Sequence, residues 1–130
     1  MMKKYLFVIA LFAGSSVFAQ SNKSINIEGD YNCTGTEHDT KAKFTCDESI
    51  KKTGETYAFT AKCNDGTSFT GTGIYDLKQH QLSIAFRNNR NMEEIGISVK
   101  SMRQDGQMIG KWTNLDKSTI GHTTCIKQKT

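Results

Sequence analysis

Gly66 and Gly71, in the stretch DGTSFTGTG, stand at the spacing of a phosphate-binding loop, but Thr72 occupies the place of that loop's lysine. The following residues, TGIYDLKQHQLSIAF, alternate and turn instead of winding into a helix whose amides could face a phosphate. His38, His80 and His122 lie in three separate regions with no His-x-His or His-x-x-x-His spacing, so they make no metal ligand set. Asp47-Glu48 and Glu93-Glu94 are adjacent carboxylates. Strand neighbours point to opposite faces, so neither pair forms an acid–base dyad and both read as solvated surface. The Gly-x-Ser-x-Gly elbow of a serine hydrolase is absent. The residues therefore predict a non-enzyme, with no catalytic group, no metal and no cofactor.

Cysteine carries the firmest chemistry. Cys33, Cys46, Cys63 and Cys125 follow a leader, MMKKYLFVIALFAGSSVFAQ, with two lysines, a short apolar run and small residues at Val17 and Ala19. That is a signal peptide over residues 1–19, followed by a single domain over 20–130. The apolar run is too short to stay in a bilayer as a helix, so no membrane insertion is expected. Cys33 lies too far past Ala19 to be an acylated first residue. An even cysteine count in an exported chain predicts two disulfides, and export ends in the periplasm or outside the cell. Loss of Lys3 and Lys4 with the leader lowers the formal net charge from +4 to +2, too little to point to nucleic acid or anionic lipid.

From Ile27 onward, short runs of β-branched and aromatic residues alternate with turn chemistry, while residues 20–26 read as a loose arm. Turn signals fall at Asp39-Thr40, Thr53-Gly54, Asp65-Gly66, Gln79-His80, Asn89-Arg90, Asp105-Gly106 and Asp116-Lys117. Seven turns imply eight strands. Alternation places Tyr57, Phe59, Ala61 and Cys63 on one face, then Leu82, Ile84 and Phe86, then Ile95, Ile97 and Val99, each read as the buried side of its strand. The expected fold is all-β: an eight-stranded antiparallel up-and-down barrel stapled by two disulfides. Closure would bring Gly29–Glu37 beside Ile120–Gln128, favouring Cys33–Cys125 with Cys46–Cys63. The competing pattern follows from the Asp39-Thr40 turn, which would set Cys33 opposite Cys46 and leave Cys63 for Cys125.

The fragments SFTGTGIYD, SIAFRNNRN, GKWTN and STIGHTTCIK occur in the order and at about the spacing of strands in the avidin and streptavidin family. Over Thr67 to Lys127 the chain resembles that family. Its GDYNC and GHTTC strands also resemble small exported lipocalin-like barrels. The avidin resemblance implies a ligand in the barrel mouth, with Trp112 matching a tryptophan that packs on biotin. Phe86 stands where a second such tryptophan would be, Thr123 replaces the carboxylate or amide that binds the ureido group, and the Asp39 loop lacks the serine-rich pattern. The resemblance thus implies the barrel more than it implies biotin.

Two sites follow as expectations. The first is a cavity lined by Trp112, Phe86, Tyr57, Tyr31 and Thr123, taking a small apolar molecule. The second is the RNNRN segment, Arg87, Asn88, Asn89, Arg90 and Asn91, which would suit a protein or glycan partner and make the chain an inhibitor or surface interaction module. The protein is expected as a monomer or small homo-oligomer.

Overall fold

The computed structural model describes residues 25–129, and the expected signal peptide lies outside the described residues. Eight strands run in sequence: β1 (Gly29–Thr36), β2 (Lys43–Thr53), β3 (Thr56–Cys63), β4 (Ser68–Asp76), β5 (Gln81–Asn88), β6 (Ile95–Met102), β7 (Gln107–Asn114) and β8 (Gly121–Lys127). Each pairs antiparallel with the next, and β8 returns to β1 to close the barrel. Every predicted turn separates two strands. Gly66 and Gly106 both adopt φ +88°, a conformation open to glycine at no steric cost.

The phosphate-loop spacing resolves into a turn and the inner face of β4. A Cβ on Gly73 would stand 2.9 Å from Leu82 Cδ1, and one on Gly71 would stand 3.0 Å from Ile84 Cγ2. The space these glycines leave is therefore filled by β5 side chains.

The disulfides are Cys33–Cys125, joining β1 to β8, and Cys46–Cys63, joining β2 to β3. Cys33 is also the register partner of Cys46, so the four cysteines form one row across β8, β1, β2 and β3. The rival pairing fails on this row, because joining Cys33 to Cys46 leaves Cys63 and Cys125 on strands separated by two others. The two disulfides are consistent with an exported, oxidising compartment.

One strand faces opposite to expectation. On β6 it is Gly96, Ser98, Lys100 and Met102 that point inward, whereas Ile95 and Ile97 are exposed on the outer wall. Three physical demands select this register. Phe86 needs the volume that Gly96 leaves, Met102 completes the apolar floor beside Met108, and Glu48 on the opposite wall requires Lys100. A one-residue slip would bury three β-branched residues but strand a carboxylate.

The end of the barrel remote from the β1–β2 loop is sealed by Ile27, Tyr31, Ile50, Leu82, Met102 and Met108, all buried. The last part of the expected loose arm is held there. Ile25 packs on the core, Lys127 Nζ donates to the Asn26 carbonyl at 3.0 Å, and the Lys52 amide donates to Glu28 Oε1 at 2.7 Å. Tyr31, at 0 % exposure, donates its hydroxyl to the Ile27 carbonyl at 2.7 Å. Burial, then the neighbouring Tyr75, pushes this phenol up to about 12. A raised folded pKa means that the contribution is complete below pH 10 and disappears as pH rises toward 12. Alkaline unfolding followed by circular dichroism should therefore steepen across that window, and Tyr31→Phe should flatten it while costing about 1 kcal/mol at neutral pH. Equal steepness in both proteins would refute this assignment.

Candidate functional site

The opposite end is open. The β1–β2, β3–β4, β5–β6 and β7–β8 connections surround a cavity of about 260 Å³ that descends between the walls. At roughly 30 Å³ per water, it holds on the order of nine waters, or one small organic molecule.

Four rings line one side in an edge-to-face series. Phe69 and Phe86 are 5.6 Å apart by centroids, Phe86 and Trp112 6.4 Å, and Trp112 and Phe44 6.1 Å. Trp112 is fixed by donating Nε1–H to the Thr36 carbonyl at 3.2 Å and by His38, whose ring stands edge-on at 5.4 Å. His38 Nδ1 in turn shares a hydrogen bond with Thr119 Oγ1 at 2.8 Å.

The base of the cavity is polar. Glu48 of β2 and Lys100 of β6 meet across the lumen at 3.2 Å, with side chains 6 % and 2 % exposed. Lys100 Nζ also donates to Thr123 Oγ1 at 3.4 Å, and Glu48 Oε1 lies 3.8 Å from Cys125 Sγ. Gly110 admits the lysine stem, since a Cβ there would stand 3.1 Å from Lys100 Cγ. Cys33, Cys125 and Glu48 are close enough to resemble a ligand cluster, but both sulfurs are spent on their disulfide and the carboxylate on Lys100.

Two lining groups have no partner within the protein. Ser98 Oγ and Asn114 Oδ1 are buried and unbonded, and Ser98 is 5 % exposed. A buried polar atom left unpaired costs about 1–3 kcal/mol.

Carboxylates crowd the mouth. Glu37, Asp39, Asp65 and Glu94 all line it. Glu37 is raised above the ordinary carboxyl range by burial first, then by the charges of Asp39 and Asp65. Asp65 is lowered by the Thr67 hydroxyl, which donates to it at 2.6 Å. Glu94 accepts from Asn88 Nδ2 at 2.6 Å.

The structure brings Trp112, Phe86 and Thr123 together in this cavity. Tyr31 and Tyr57 lie elsewhere: Tyr31 in the sealed floor, and Tyr57 edge-on to Tyr75 with centroids 6.2 Å apart. The carboxylate reading changes most. Glu48 is an interior ion-pair partner, and Glu93-Glu94 belongs to the β5–β6 connection instead of a strand, with Glu94 on the cavity. Glu48 shares its face with Cys46 and Ile50, the one sequence signal of its burial. Lys100, Ser98 and Asn114 carried no such signal.

RNNRN is also rearranged. Arg87 projects outward from β5, and the amides serve the loop itself. Asn89 accepts from Thr70 Oγ1 at 2.8 Å and donates to Ser68 Oγ at 2.9 Å, while Asn88 Oδ1 accepts from the Arg90 amide at 2.9 Å. Asn91 Oδ1 accepts from the Glu93 amide at 3.3 Å.

Fold and site together define a class: a closed eight-stranded up-and-down barrel with a lined cavity at one end. Comparison of the chain with protein-family models and with curated protein sequences finds no match.

Proposed function

We propose that this is an exported, non-catalytic binding protein that takes one small molecule in the mouth of its barrel. The observation that carries the reading is the pair of unpartnered buried polar atoms, Ser98 Oγ and Asn114 Oδ1, facing an aromatic-walled cavity. A purely structural core would be expected to satisfy such atoms or dispense with them. The cavity favours an amphiphile over a wholly apolar guest, with a ring or chain against Phe86 and Trp112 and a polar group toward the base. The avidin-like likeness supports a ligand at this kind of place, but with Phe86 and Thr123 at two contact positions biotin is not proposed. Either the periplasm or the extracellular space accords with the leader and the disulfides.

Trp112 supplies the assay. Titration with small arylalkyl compounds should quench or shift its emission, and Phe86→Ala should weaken the response about tenfold, equivalent to ~1.4 kcal/mol. Arg87→Ala/Arg90→Ala should leave it unchanged. The alternative, an interaction module working through its loops, is disfavoured by the internal use of the RNNRN amides. It would be upheld if the arginine variant alone lost binding.

A further inference from the structure

We propose that the ligand of this cavity is a small organic cation, an ammonium group attached to a single ring or short chain; this rests on the binding reading above. Three features of the cavity converge on positive charge.

The first is the sign of the lining. Five carboxylates, Glu37, Asp39, Glu48, Asp65 and Glu94, face the cavity against one ammonium, that of Lys100, in a chain whose formal net charge is +4. Lys100 is itself engaged by Glu48. The mouth thus concentrates negative charge in a low-dielectric funnel, which raises the local concentration of cations. Two lysines lie near the rim outside the lining: Lys41, whose ammonium donates to the carbonyls of His38 at 3.0 Å and Ile120 at 2.5 Å, and Lys117, whose charge helps to lower Asp39, so the excess of carboxylates is greatest inside the cavity.

The second is the aromatic series Phe69, Phe86, Trp112 and Phe44. All four rings line the same cavity, where a ring face attracts an ammonium electrostatically. An anion would meet the carboxylates with no guanidinium among the lining residues.

The third is the unbonded pair. Asn114 Oδ1 can only accept and Ser98 Oγ can accept, so an N–H donor satisfies both. Carboxylates at the rim alone would describe a solvated surface. The buried, unbonded Ser98 hydroxyl, inward-facing on β6 between Gly96 and Lys100, is what makes them the approach to a site.

The test uses the mature protein and three probes of matched size at neutral pH and low salt: 2-phenylethylammonium, 2-phenylethanol and 3-phenylpropanoate. Trp112 emission and calorimetry should give tightest binding to the amine, about tenfold over the alcohol, with the carboxylate weakest. The variant Glu37→Gln/Asp65→Asn/Glu94→Gln should lose about tenfold for the amine and nothing for the alcohol. If that variant does not fold, high salt on the unmodified protein should weaken the amine selectively. Binding of alcohol or carboxylate as tight as the amine overturns the charge assignment while leaving the binding reading intact. Silence from all three probes by both methods overturns the binding reading itself.

Discussion

Lys100→Met is expected to destabilise the barrel by about 3–5 kcal/mol, the cost of leaving a buried carboxylate without its partner. For a domain of this size that corresponds to a fall in melting midpoint on the order of 15–20 °C. The mechanism is specific. Glu48 is 6 % exposed and faces Lys100 across the lumen, so loss of the ammonium leaves the charge beside Cys125 and Ala61, reached by water only from the cavity side. Glu48→Leu/Lys100→Met should recover most of the loss or exceed the starting stability, because an apolar pair of similar volume avoids both desolvation penalties. Urea unfolding of the two variants decides the matter. Equal midpoints for single and double variants would show that the pair is solvated and energetically minor.

Removal of Cys33–Cys125 by double alanine substitution should cost about 4–5 kcal/mol, against about 3 for Cys46–Cys63. Both bonds join directly opposed residues, so the difference comes from the unfolded chain: the sequence separations are 92 and 17. The larger loop also matters to closure, since β1 and β8 are the most distant strands in sequence that must pair. Denaturant midpoints of the two alanine pairs would show the reverse order if native strain, and not loop entropy, governed their contributions.

Strand count and turn positions were legible because each has a local chemical cause, whereas the disulfide pairing was favoured over its rival only through barrel closure. Asp65-Gly66 and Asp105-Gly106 demand turns, and Leu82, Ile84 and Phe86 alternate cleanly. The facing of β6 was not legible. Alternation tells which residues share a side but not which side is inside, and hydropathy chose Ile95, Ile97 and Val99. The choice was made 52 positions away by Glu48, whose need for Lys100 exists only once the barrel closes. The site was half visible for the same reason. Trp112 and Phe86 announce a wall by their size, whereas Ser98 and Asn114 matter because nothing in the folded chain answers them.

The plug at Ile27 and Tyr31 has a kinetic consequence. With one end stoppered, the cavity is a blind well, and an incoming molecule and the water it replaces must share a single passage. Any molecule held there would have to leave past Glu37, Asp39, Asp65 and Glu94, the same residues it passed on entry.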